Sequence, residues 1–232
     1  MLDPRISTNS DAVLEAEGCN VATSKRKKLS TTEYSLEIRQ HPLNARACGF
    51  GPKDRRAIDP PPILQLRIND ASLTPEKIQK ELRDRKYVAN CFLYDANGTH
   101  DVTLILDEQQ QSIQQLSSRT TSAHFYGKYE AGKEGCFFPF PDLSCRHTGS
   151  FQLKFTVMKI DLASAKKVPR QPVLAEVYSG SFTVFEANKF PGMQPSTDLA
   201  KALNEQGCWI PFKKGNGKSK KDGNIAYPGD TN

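Results

Sequence analysis

The chain has no run of eighteen consecutive apolar residues, and its first stretch is broken by Asp3, Arg5 and scattered polar side chains. No membrane-spanning helix and no secretory leader are therefore expected, which reads as a soluble intracellular protein without a membrane partner. Equally absent are G-x-S-x-G, a P-loop, a dinucleotide glycine fingerprint and H-E-x-x-H. Each of these places a nucleophile, a phosphate cradle or a metal where chemistry needs it, and without them the expectation is a non-enzyme with no catalytic residue and no cofactor. The four histidines, His41, His100, His124 and His147, are far apart. Close cysteine pairs are also missing: the six cysteines stand at 19, 48, 91, 136, 145 and 208 in a chain too long to need a disulfide framework, so they read as reduced. Cys136, Cys145 and His147 are good zinc ligands by type, but eight residues separate the two cysteines where structural zinc sites use two to four. Buried free thiols are the reading, with no metal.

What is present is basic and locally clustered. In 232 residues, 32 Lys and Arg against 26 Asp and Glu leave a formal charge of +6, enough chain for one substantial core. Positive charge gathers at KRKK (Lys25, Arg26, Lys27, Lys28), between Arg46 and Arg56, and along the tail from Lys213 to Lys221. KRKK reads either as a nuclear import signal or as ordinary solvated charge. The central cluster is the most informative, because Arg46, Lys53, Arg55 and Arg56 share a loop with Gly49 and Gly51 and are followed by Pro60, Pro61 and Pro62. Glycines let the backbone lie close to a partner, and prolines set a stiff extended base, so the loop fits a grip on phosphate. On charge alone KDRR reads equally as a solvated turn. Asp54, inside it, can orient an arginine or weaken the grip. Cys48 in the same loop reads as an ordinary thiol, although neighbouring cations can lower a thiol's pKa.

Period-two alternation predicts strands at Tyr34 to Ile38, Leu64 to Ile68 and, most clearly, Phe151 to Met158, with further strands at 123–126, 136–140, 173–177 and 181–185. Tyr87 to Tyr94 reads as a strand apolar on both faces, forming a hairpin with 102–106 through the turn at Asp95 to Gly98. Thr74 and Pro75 start a short helix carrying Ile78 and Leu82, and Ser196 is the expected cap of a second, with Leu199 and Leu203 on one face and Gly207 as its stop. The glutamine-rich 108–118 segment predicts a turn of helix around Ile113 and Leu116, and Trp209, Ile210 and Phe212 predict a short strand. Phe137, Phe138 and Phe140 read as core or dimer contact rather than as a base-stacking platform. About eight strands without regular intervening helices give an antiparallel β-sandwich over 32–214, between a flexible arm at 1–31 and a flexible basic tail at 215–232.

Three blocks in one order resemble the velvet domain, a family of fungal regulators: YSLEIRQHPLNARACGFGPKDRRAIDPPPILQL, GCFFPFPDLSCRHTGSFQLKF, and VYSGSFTVFEANKFPGMQPST followed by LAKALNEQG. The resemblance implies an all-β, immunoglobulin-like, Rel-homology-like sandwich that binds double-stranded promoter DNA in the nucleus, with shuttling to the cytoplasm. It implies homodimers or heterodimers with another velvet protein, and contact with a methyltransferase-like nuclear regulator. It implies control of development, sporulation and secondary metabolism. Its basic motif before the prolines maps onto Lys53, Arg55 and Arg56, with Arg46 more weakly matched, while a basic position sometimes found at the motif's start is Gly51 here. The competing reading is a partner-binding module that modulates another regulator with little DNA binding of its own. No long proline-rich or glutamine-rich activation segment is seen, so output is expected to depend on a partner or on competition for sites.

Overall fold

The computed structural model describes residues 32–49, 51, 54–106, 109–160 and 171–213. The arm with Lys25, Arg26, Lys27 and Lys28, the tail beyond 213, and Lys53 lie outside the described residues. Among the described residues there are fourteen strands, many of two or three residues, and two short α-helices. The first half contains β1 (Glu33–Gln40), β2 (Asn44–Arg46), β3 (Ile63–Asn69), α1 (Pro75–Leu82), β4 (Tyr87–Asp95), β5 (Leu104–Leu106), β6 (Ser112–Gln114) and β7 (Leu116–Ser117). The second contains β8 (Thr121–Ala123), β9 (Phe125–Lys128), β10 (Glu134–Pro139), β11 (Ser144–Cys145), β12 (Gly149–Lys159), β13 (Val173–Tyr178), β14 (Phe182–Phe185) and α2 (Asp198–Glu205).

Two main sheets form an all-β, immunoglobulin-like sandwich. One runs β1-β3-β10-β9 and is antiparallel throughout; the other runs β2-β14-β12-β4-β8, with β13 also pairing β12 and only β2 joining its neighbour in parallel. Alternation decides what each strand buries. Leu36 and Ile38 of β1, Leu64 and Leu66 of β3, and Cys136 and Phe138 of β10 meet Tyr87, Ala89, Cys91 and Leu93 of β4 and Leu153, Phe155 and Val157 of β12 in one core. The opposite face of the first sheet is covered as well: Ile63 and Phe137 pack with Ala200 and Leu203 of α2 and with Cys208 and Ile210. Consecutive phenylalanines, Phe137 and Phe138, thus fill two different cores, and Phe140 is buried too.

Several local expectations are corrected. β4 buries one face only, since Val88, Phe92 and Tyr94 are half-exposed. The expected hairpin closes only at its tip, where Val102 N donates to Leu93 O at 2.8 Å; β5 then leaves to pair with β6, and β8 takes the edge of β4. The 108–118 segment holds β6 and β7 rather than a turn of helix, because their partners β5 and β11 lie outside the local window. Thr197, one residue after the expected cap, accepts from Ala200 N at 3.2 Å to start α2, and Gly207 ends it at φ +89°. Residues 209–212 form no strand: Ile210 is buried while Trp209 and Phe212 are exposed. Gln206 caps the edge of β9 with its side-chain amide, accepting from Lys128 N at 2.6 Å and donating to Lys128 O at 2.7 Å.

Truncating Phe138 to alanine removes a fully buried ring between the sheets and is expected to cost about 3–5 kcal/mol in urea denaturation, whereas Leu104→Ser on the exposed ribbon stays within about 0.5 kcal/mol.

Candidate nucleic-acid interface

The basic loop leaves β2 at Arg46 and returns to β3 through the prolines. Its lower part is tied down on every side. Cys48 N donates to Cys145 O at 3.0 Å and Ile58 N to Leu143 O at 2.7 Å, so the loop is stitched to the segment that follows β10. Asp59 N donates to Asn44 O at 2.7 Å, and Asp59 O accepts from Leu43 N and Asn44 N. The Asp59 side chain is buried and accepts from Gln194 N at 2.5 Å and from the Lys213 ammonium at 2.8 Å. The proline run is equally held: Gln40 donates to Pro61 O at 2.6 Å, Phe140 N donates to Pro62 O at 2.9 Å, and the Asp59–Pro60 peptide is cis.

Above this base the loop is closed by its own acid. Asp54 Oδ2 accepts from Gly49 N at 2.6 Å, and a Cβ on residue 49 would lie 2.7 Å from that oxygen, so a side chain there would push the carboxylate away. Asp54 thus spends its carboxylate on the backbone. Arg55 and Arg56 are exposed, with Arg56 donating to Arg55 O at 2.8 Å. Arg46 differs: it is half-buried in β2 and its Nε is buried without a hydrogen-bond partner among the described residues, so it is less available to a ligand. Cys48 is a buried thiol. Cys136 is pushed up to about 12 and Cys145 is pushed up as well, both by burial, which keeps them protonated and inert. Among the described residues no group of three or more His, Cys, Asp or Glu is placed to hold a metal ion.

Two arginines that sequence reasoning did not single out belong to the same end of the sandwich. Arg146, just past β11, donates from Nη1 to Gly49 O at 2.7 Å and from Nε to Gln114 O at 2.8 Å, bolting the basic loop to the end of β6. His147 beside it hydrogen-bonds the Gln115 side chain. Arg119 follows β7 and faces Asp142, Nε to Oδ2 3.6 Å, while its guanidinium lies 5.7 Å from the centre of the Trp209 ring. Pairing of Ser117 with Ser144 in β7·β11 brings these segments together. Arg119 lies in none of the family-like blocks, and Arg146 lies in the second, but nothing local to either names its role, because the loops they brace or adjoin are distant in sequence. The result is a rigid end of a β-sandwich, built from three loops, that presents cationic side chains outward and keeps its acids turned in.

The cationic side chains thus stand on loops at one end of a β-sandwich. The velvet factor family model matches residues 34–128 and 106–217, and the chain belongs to the velvet family. It is 51% identical over 210 residues to a protein named sexual development regulator velC from Gibberella moniliformis, covering 90% of this chain and 45% of that one. It is 46% identical over 195 residues to the protein of the same name from Pyricularia oryzae, covering 84% of this chain and 44% of that one. Against the spore development regulator vosA of Beauveria bassiana it is 44% identical over 203 residues, covering 88% of this chain and 74% of that one. The chain therefore spans less than half the length of the Gibberella and Pyricularia regulators.

Arg146→Ala removes a charged donor from two loop carbonyls and is expected to lower stability by about 1–3 kcal/mol, with faster amide exchange at Cys48 and Gly49. Asp142 gives a pH signature. Burial raises its pKa above the ordinary aspartate value, outweighing the opposing pull of Arg119, a backbone hydrogen bond and Arg55. The folded state then holds this proton to higher pH than the unfolded chain does, so the residue's contribution to stability falls as pH rises through that window. Asp142→Asn is expected to melt no lower than wild type at neutral pH, and the two should converge only below about pH 3, where wild-type Asp142 is protonated in both states. A marked loss at neutral pH would mean that the arginine pairing dominates.

Proposed function

We propose that the protein is a sequence-specific DNA-binding transcriptional regulator that works in the nucleus as a homodimer or with another velvet chain, controlling development, sporulation and secondary metabolism. The observation that carries this reading is the fixed base under Arg55 and Arg56: the loop's backbone is anchored to β2, to the 143–145 segment and through Asp59 to Lys213, while the two guanidiniums face solvent. Phosphate contacts need donors held at set positions, and an arginine fork reads a guanine edge with two hydrogen bonds, so a pre-ordered loop loses little entropy on binding. Lys53, beside them in the motif, joins the same proposal. The family membership and the regulator names of the relatives support the biological setting, in which a methyltransferase-like nuclear regulator is a proposed further partner, and KRKK at 25 to 28 is the proposed import signal.

A second reading is a partner-binding module with little DNA affinity of its own. It draws on the β5–β6 ribbon, where Leu104 and Leu106 stand exposed side by side on one face. The two differ in salt behaviour, since phosphate neutralisation releases counterions and an apolar interface does not. In titrations of promoter duplexes across salt concentrations, the Lys53, Arg55, Arg56 to alanine variant is expected to bind at least about tenfold more weakly than wild type. Its slope against log salt should be shallower by about 2–3, near 0.9 for each phosphate that is no longer neutralised. Equal binding by both, or by neither, turns the reading to protein association.

A further inference from the structure

We propose that Arg119, aimed by the Asp142 carboxylate and the face of Trp209, is a further DNA-contacting residue on the surface that presents Arg55 and Arg56; this rests on the DNA-binding reading above. Three observations converge on it. Arg119 is the most exposed member of its cluster, its side chain 74% accessible while that of Asp142 is 15% accessible. An exposed arginine ordinarily samples many rotamers, yet this one has two directing neighbours: a carboxylate 3.6 Å from its Nε and an indole ring 5.7 Å from its guanidinium carbon. At 3.6 Å the Nε approach is longer than a hydrogen bond, so the ion pair steers the side chain without tying up that donor.

The place of Arg119 in the fold puts it beside the basic loop. Ser117 pairs with Ser144 two residues before Arg119 and two residues after Asp142, and Ile58 N bonds Leu143 O three residues beyond Arg55. Asp142 lies within electrostatic reach of both Arg119 and Arg55. One carboxylate thus pairs with the guanidinium of the β7–β8 connection and is felt electrostatically by one of the basic loop. Its Oδ1 is buried without a hydrogen-bond partner among the described residues, so its interaction with cations is electrostatic rather than a saturated bidentate pair. The bland alternative is that Arg119 merely balances Asp142. In that case DNA would not register at Arg119 or at the indole it covers.

Trp209 is the single tryptophan of the chain and is 42% exposed, so it is a built-in reporter of what happens to Arg119. The test uses the full chain with a fluorescein-labelled promoter duplex, following anisotropy and, with an unlabelled duplex of the same sequence, tryptophan emission. For wild type, the emission change should saturate together with the anisotropy. The double variant Arg119→Ala/Asp142→Asn removes both charges, so no buried carboxylate is left behind. It should bind about tenfold more weakly near 0.1 M salt, with a slope against log salt shallower by about 0.9, the effect of neutralising one phosphate fewer. Its tryptophan response should disappear. Arg119→Lys keeps the charge and should recover the salt slope, while the tryptophan response on binding is the readout that mere balancing of Asp142 does not move. Wild-type affinity and slope in the double variant, or saturating anisotropy with silent tryptophan in the wild type, overturns the assignment of Arg119 and leaves the DNA reading standing. Failure of the wild type to bind any promoter duplex overturns both.

Discussion

The alternation along β3 and β10 is the constraint on which the rest of the structure rests. These two strands lie in the middle of a sheet that is covered on both sides. Leu64, Leu66, Cys136 and Phe138 point between the sheets, and Ile63 and Phe137 point under α2. A slip of one residue would exchange the two sets, driving each into a core shaped for the other. Leu64 faces Phe138 and Leu66 faces Cys136 across the ladder, so register is fixed by two cores at once rather than by one. The start of β3 is therefore immobile, and whatever is attached to it inherits that position.

The basic loop is attached there. Pro61 and Pro62 are buried immediately before Ile63, and Gln40 links Pro61 to Thr197, the cap of α2. Asp59 adds the segment at Gln194 and the end of the described chain at Lys213. Four parts of the chain that are far apart in sequence thus meet at the foot of one loop. Order at the foot and exposure at the crest is the combination a ligand-binding loop needs, because the entropy of holding the crest is met during folding and not during binding.

The fold was legible where a single period runs long enough to be seen. Alternation runs from Tyr34 to Ile38 and from Phe151 to Met158, and β1 and β12 stand close to where it places them. β4 misled because Val88 and Phe92 are apolar by composition but only half-covered, a difference that depends on what the rest of the chain lays over them. β6 and β7 are two or three residues each, too short to carry any period, and their strand geometry comes from pairing with β5 and β11. The same limit governs the site. Arg55 and Arg56 share a motif with the prolines and could be found in sequence. Arg119 could not, and Arg146, although inside a family-like block, gave no sign of its role, since their relation to Asp142 and Gly49 exists only after the sandwich closes.

Formal charge understates how cationic this end of the molecule is. Asp54, Asp59 and Asp142 lie among Arg55, Arg56, Arg119, Arg146 and Lys213, and on paper the acids cancel more than half of that charge. Geometry separates the two signs. Asp54 is turned to the Gly49 amide, Asp59 is buried against Gln194 and Lys213, and Asp142 sinks below Arg119. Asp54 and Asp59 act on the backbone and on the half-buried Lys213 at short range, and Asp142 pulls on Arg119 from below, whereas Arg55, Arg56 and Arg119 keep their guanidiniums toward water. The aspartate within KDRR therefore does not neutralise the motif. It closes the loop that carries the arginines.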